Sequence, residues 1–410
     1  MTPLNRRGFL KAAGGAGALA ASLHRRVSAA QPAPASEVVV VGAGAFGGWT
    51  ALYLRELGHS VTLIDQYGPG NSRATSGGET RQIRAVYGER EIYTKWVIEA
   101  FDRWQAREAE WGKKLFFRTG QISLAPDWTS ELTETRKVFD RLSVKYDIVP
   151  AGDLARRYPQ MRTADFSAAM YTPGTGVLKA REGCLAVAQA FENKGGRSIT
   201  AKVALGARAG RTLQDVVLSS GQRVSAQTFV FACGPWLAKV FPSVMAKKLE
   251  TPRRAVFFYG TPPGDERFTA PNFPTWSLPG AYGFPSIEGK GFKLAPTFDH
   301  VLVDPDTQEH TLTAEEIRLG REFLAKWFPD LARQPLVDAR ICQREDSVDE
   351  HFIVDQHPEL ANVWMVGGGS GHGYKHGIML GDYVANRVTG RDKSPELAAT
   401  FKLKDRTFSR

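Results

Sequence analysis

Cysteine is scarce in this chain of 410 residues: Cys184, Cys233 and Cys342 stand alone and far apart. An odd number of thiols closes no disulfide framework, so the fold must rest on its core. Acid is missing from the first 36 residues, where Arg6, Arg7, Lys11, Arg25 and Arg26 supply five of the ten net positive charges. No basic stripe follows, which argues against nucleic acid as a partner. Long apolar runs are missing too. No 18-residue span beyond the N-terminus is apolar enough to cross a bilayer, so no stable membrane anchor is expected. What is present, 42 % hydrophobic residues over 410 positions, suffices for a large core divided into two or three packed units.

The first residues, "MTPLNRRGFLKAAGGAGALAASLHRRVSAA", read as a targeting segment. A basic pair precedes a weakly apolar Ala/Gly run, and small residues at Val27-Ser28-Ala29-Ala30 suit a cleavage site. "NRRGFLK" resembles the bacterial twin-arginine signal. That resemblance implies export of an already folded protein by the twin-arginine machinery, to the periplasm or beyond. Residues 1–30 are read as signal peptide and 31–36 as linker.

Then comes "SEVVVVGAGAFGGWTALYLRELGHSVTLID". Val38 to Val41 form a short β-branched run, as a buried parallel strand requires. Gly42, Gly44 and Gly47 follow at G-x-G-x-x-G spacing, then a helix predicted from Phe46 to Leu57 with Gly58 as cap. A second strand ends at Asp65, 23 positions after Gly42. The glycines allow backbone to approach a pyrophosphate, whose charge sits on free N–H groups at the helix start. Asp65 is placed to accept hydrogen bonds from a ribose. Near the other end, Val363 to Val366 read as a strand, a glycine-rich turn follows, and a helix is predicted from about His376 to Val388. Such a turn offers main-chain donors to a second part of a long ligand. A site built from both chain ends suits FAD better than NAD.

Four further blocks, "SGGETRQIRAVYGE", "GFPSIEGKGFKL", "CQREDSVDEHFIVD" and "GGGSGHGYK", resemble the D-amino-acid-oxidase superfamily, above all its branch of monomeric sarcosine oxidase and N-methyltryptophan oxidase. The resemblance runs from about Val38 to the final "TFKLKDRTF". It implies an α/β plus α+β fold. A discontinuous Rossmann-like FAD-binding domain (37–114, 177–241 and 342–395) would carry an antiparallel-sheet substrate domain (115–176 and 242–341), with 396–410 as C-terminal tail. Local reading agrees: residues 251–300 hold ten aromatics and eight prolines, with strand-like "RRAVFFYG" and "GAYGFPS" between turns.

The resemblance also assigns roles. Arg84 and Lys375 match positions that pair with a substrate carboxylate, a task a guanidinium fork and an ammonium suit. Lys293 matches the lysine that activates O2, where an ammonium stabilises developing negative charge. Strand alternation gives Phe292 and Lys293 opposite faces. Arg81 matches a cation beside the flavin and His372 a neighbour of the ring or carboxylate site. Tyr282 is retained in the pocket. Thr80, Val203, Gly234, Gly371 and Gly373 are expected cofactor contacts. The spacing of Cys342 from Asp349-Glu350-His351-Phe352-Ile353 repeats that of a cysteine joined to the 8α-methyl of FAD, and a thiolate there would draw on nearby cations. Two positions depart from the pattern: Thr297 replaces a histidine and Arg344 a tyrosine. Arg344, turned inward, would favour an acidic or larger polar substrate side chain; turned outward it is a strand residue facing solvent. Cys233 reads as a packed small hydrophobe.

The expected activity is oxidation of a carboxylate-bearing amino acid, secondary or N-methyl first and cyclic imino acid second, to an imine, with O2 becoming H2O2. The alternatives are a dehydrogenase of the same fold that passes electrons to a quinone or carrier protein, a flavoprotein without turnover, and a nicotinamide-dependent dehydrogenase. No metal is expected, and a monomer is favoured.

Overall fold

The structure, a computed structural model, describes residues 36–126, 128–297 and 301–409. The signal segment and nearly all of the linker lie outside them. Among the described residues no helix is long and apolar enough to cross a membrane.

The strand Ser36–Val41 lies at the middle of the first sheet. Val61–Asp65 and then Arg197–Thr200 run parallel to it on one side. Arg223–Phe231 and then Val363–Gly367 do so on the other. The β-branched run works because both faces are buried. Val38 and Val40 pack with Leu63, Val230 and Val366 on one face. Val39 and Val41 pack with Ile64, Phe229, Phe231 and Met365 on the other. Period-two alternation thus fills two separate cores from one strand.

The first face is covered by the helices Ala45–Glu56, Ala180–Asn193 and Gly373–Val388. The first of these starts one residue earlier than predicted and ends at Glu56, with Leu57 as cap and Gly58 at φ +93°. The last starts at Gly373, not near His376, so Lys375 sits inside its first turn. The reason is the turn before it. Gly368, Ser370 and Gly371 take φ of +70°, +43° and +73°, and the His372 and Gly373 amides close onto the Gly369 carbonyl at 2.9 and 2.8 Å. Backbone with left-handed residues completes the reversal sooner than a chain confined to negative φ.

The second eight-stranded sheet runs in the order 336–343, 253–259, 292–296, 281–284, 275–278, 121–124, 168–172, 147–150. All neighbours are antiparallel except Thr275–Leu278 with Gln121–Leu124. Its outer face carries Phe257, Tyr259, Phe292 and Leu294 against Leu324 and Trp327 of the helix Ala314–Trp327. Its inner face carries Val256, Phe258, Ala295 and Cys342. Phe292 and Lys293 take opposite faces, as alternation requires. Cys342 is hydrogen-bonded into this second sheet, opposite Arg254. The C-terminal stretch is docked: Phe401, in the helix Pro395–Phe401, is fully buried in the first core.

Candidate active site

Gly42 turns at φ +107° where a Cβ would lie 2.2 Å from the Ala232 carbonyl oxygen, and a Cβ on Gly47 would lie 1.9 Å from the carbonyl oxygen of Gly42. No side chain fits at either place, and the backbone is left bare at the start of the helix Ala45–Glu56. Asp65 caps this corner: its Oδ2 accepts from the Ala43 amide at 2.7 Å and its Oδ1 from the Tyr67 amide at 2.8 Å. Burial raises its pKa, and the amides pull it back.

From this corner a cavity of about 1520 Å³ extends between the two sheets. That exceeds the usual 300–1,000 Å³ of a site for one small molecule. At one end it is lined by Asp65, Gly42, Gly44, Val203 and Gly234; farther along by Arg81, Cys342, Gly371 and Gly373; at the other end by Arg84, Tyr87, His372, Lys375, Tyr282, Thr297 and Arg344. Three expected residues stand behind this wall. Gly47 is the helix contact just described. Thr80 and Lys293 are buried against each other, with Lys293 Nζ donating to the Thr80 carbonyl at 2.8 Å and lying 4.4 Å from the centre of the Phe284 ring. Burial, and then the Arg81 charge, push the Lys293 pKa well below its ordinary value.

Around the thiol, Arg81 is fixed by the Thr80 carbonyl at 2.8 Å and by that of Thr75, and its Nη2 lies 3.6 Å from Cys342 Sγ. Arg340 instead donates to the carbonyls of Gly77 and Ser72, at 2.5 and 2.7 Å. Arg344 reaches the cavity wall, but its fork is held by Asp346, Nε to Oδ1 at 3.0 Å and Nη2 to Oδ2 at 2.5 Å. It is therefore a charge-compensated wall residue.

At the far end two cations share one ring. The Arg84 guanidinium carbon lies 4.9 Å, and Lys375 Nζ 5.3 Å, from the centre of Tyr87. Lys375 is 4 % exposed. It donates to the Tyr87 hydroxyl at 2.9 Å and to the His372 carbonyl at 3.1 Å. Burial, and then Arg84, depress its pKa strongly. Arg84 donates to the Val86 carbonyl. His372 stacks on Phe352 at 4.9 Å, and its Nε2 meets the Glu350 carbonyl at 3.0 Å.

Sequence reasoning missed three members of the wall and its backing. Tyr87 stood inside a quoted block without a role. His376, fully buried behind Tyr87, follows Lys375 directly and was read as the helix start. Glu345 also stood inside a quoted block, "CQREDSVDEHFIVD", without a role. It is buried beneath the glycine turn, where its Oε2 accepts from the Gly368 amide at 2.9 Å.

A family profile described as "DAO: FAD dependent oxidoreductase" matches residues 37–387. The chain belongs to this family of FAD-dependent oxidoreductases. A monomeric sarcosine oxidase from Bacillus sp. (strain NS-129) is 28 % identical over 363 residues, covering 86 % of this chain and 92 % of that protein. An N-methyl-L-tryptophan oxidase from Yersinia pestis (strain Pestoides F) is 27 % identical over 376 residues, covering 90 % and 98 %. Among solved structures, the deglycating fructosamine oxidase (Amadoriase II) of Aspergillus fumigatus superposes with a TM-score of 0.74 at 19 % identity, over 90 % of this chain and 89 % of that one. Both the mixed α/β architecture and the oxidoreductase class of this DAO-family flavoenzyme follow. The residues fit the cofactor. The Gly42–Gly47 corner admits a diphosphate, the cavity has room for a dinucleotide and a small substrate together, and the helix Gly373–Val388 aims its positive end at the cavity.

Proposed function

We propose that this flavoenzyme oxidises the C–N bond of a carboxylate-bearing secondary or N-methyl amino acid to an imine, with O2 reduced to H2O2. The observation that carries this is the cation pair on Tyr87. Among the described residues neither Arg84 nor Lys375 forms an ion pair, although both line the cavity. Two positive charges held together without an acid are complementary to an anion from outside, and a carboxylate lets a guanidinium fork and an ammonium bind it at once. The sarcosine and N-methyltryptophan oxidases among the relatives act, by name, on amino acids with a secondary amine.

FAD supplies the acceptor for two electrons when bound. The chain supplies orientation. Arg84 and Lys375 fix the carboxylate, and so place the amine and its α C–H under the inner sheet face at Tyr282 and Ala295. The inner strands exclude water. Arg81, fixed by two carbonyls, keeps a positive charge beside Cys342, which we take as the covalent tether of the cofactor. The leader implies that the enzyme works in the periplasm or outside the cell after twin-arginine export.

A peroxide-coupled screen of N-alkyl, cyclic and ordinary amino acids on the purified protein tests the reading. The expected result is H2O2 formation with N-methyl amino acids, abolished by Arg84→Met. One observation favours the dehydrogenase alternative: Lys293, the oxygen-activating candidate, lies behind the Thr80 strand and not on the cavity wall. Bleaching of the flavin by substrate with sluggish recovery in air would establish that alternative. A flavin that no amino acid bleaches would overturn both.

A further inference from the structure

Tyr87 Oη stands at the meeting point of three nitrogens: Lys375 Nζ at 2.9 Å, His376 Nε2 at 2.8 Å and His372 Nδ1 at 3.2 Å. The proton positions of this cluster follow from its partners. The Glu350 carbonyl, 3.0 Å from His372 Nε2, only accepts, so Nε2 carries the proton. Burial and the Lys375 charge keep both imidazoles neutral, so His372 Nδ1 is bare and must accept. Among the described residues its hydrogen-bond partner is the Tyr87 hydroxyl, which supplies the proton. The hydroxyl, having spent its one hydrogen, accepts from the other two. Lys375 can only donate. His376 therefore carries its proton on Nε2, and its buried Nδ1, which has no hydrogen-bond partner among the described residues, is left as a bare acceptor rather than a stranded donor. The opposite arrangement, with Tyr87 donating to His376, would leave two bare acceptors facing each other at His372.

We propose that Tyr87 is a positioning residue whose hydroxyl, locked between His376 and His372, aims the Lys375 ammonium at the substrate carboxylate. Of the three Lys375 N–H bonds, one goes to Tyr87 and one to the His372 carbonyl. The third is the one left for a ligand. The Tyr87 ring meanwhile carries the Arg84 guanidinium, 4.9 Å from its centre, while Lys375 sits at its hydroxyl end. His376 does not itself line the cavity. It acts only through Tyr87, as the second donor that turns the hydroxyl hydrogen toward His372.

This inference rests on the carboxylate reading of Arg84 and Lys375, and the test separates the two. Acetate binding to the FAD-loaded enzyme is followed by the change it causes in the flavin visible spectrum. Lys375→Met is the control for the carboxylate site. Tyr87→Phe is expected to raise the acetate Kd about tenfold, the loss of one charge-assisted hydrogen bond, with the ligand-free flavin spectrum unchanged. His376→Leu is expected to weaken binding likewise, and His376→Gln, which keeps a side-chain N–H for Tyr87, to restore it. The Leu/Gln pair decides the matter if Tyr87→Phe fails to fold. Wild-type affinity in Tyr87→Phe or His376→Leu, alongside weakened binding in Lys375→Met, overturns this inference alone. Acetate binding indifferent to Lys375→Met overturns the carboxylate site and this inference with it.

Discussion

Glu345 carries a carboxyl group that burial pushes up to about 8, from an ordinary 4.5. Among the described residues its buried Oε1 has no hydrogen-bond partner, while Oε2 holds the Gly368 amide. Because the folded state binds this proton more tightly than the unfolded chain does, the contribution to stability is full below pH 4.5 and is lost as pH rises to 8. Glu345→Gln keeps an acceptor for Gly368 and has nothing to ionise. The melting temperature of the variant is therefore expected to exceed that of wild type by more at pH 8.5 than at pH 5, as paired melts would show. For Lys293 the sign is opposite. Burial depresses its pKa, so the ammonium is lost at a lower pH than for a solvated lysine. If its charge assists O2, the rate of flavin reoxidation in stopped flow should fall as pH rises, before the usual lysine range is reached. Lys293→Met should abolish that dependence and slow reoxidation about 10- to 100-fold.

At the scale of elements, two helices cross unusually closely. Gly377 and Gly381, one turn apart, face the helix Ala45–Glu56. A Cβ on Gly377 would lie 2.7 Å from the Ala45 carbonyl oxygen, and one on Gly381 2.4 Å from Trp49 Cβ and 2.7 Å from its carbonyl carbon. Backbone cannot move aside as a side chain can. Gly381→Ala is therefore expected to cost about 1–3 kcal/mol in urea unfolding and to lower the FAD content of the purified protein, because both helices begin at the cofactor corner. The sequence made the parts of these elements visible but not their meeting. The βαβ corner was legible because Val38–Val41, the glycines and Asp65 are all local, and Phe292 and Lys293 because alternation is local. The start of the last helix was not, since three left-handed residues before it depend on the Glu345 clamp. Tyr87 and His376 were not paired, because 289 positions separate them and no periodic pattern spans that distance. Arg344 was left between two orientations: it faces the cavity, as one of them had it, but Asp346, two residues on, already holds its fork.

For the whole molecule, the cavity belongs to both sheets at once. The diphosphate corner is built on the first sheet and Cys342 on the inner face of the second. A tether there would make the cofactor a bridge between them. Flavin is expected to stay with wild-type protein after acid precipitation and to pass to the supernatant from Cys342→Ala. The melting temperature of Cys342→Ala should rise with added FAD, since a ligand bound only by the folded state stabilises it by mass action. Yellow colour in the supernatant of wild type would refute the tether.

The cavity that begins at Gly42 and ends at Lys375 also sets a schedule. A chain emerging from the ribosome at about 5–20 residues per second presents the first glycine corner early, yet the wall that completes it, with Lys375, arrives more than 300 residues later. The strand Ser36–Val41 waits for Val363–Gly367 to finish its sheet as well. No nascent fragment can therefore hold the cofactor as the finished protein does. Loading is an event of the completed chain.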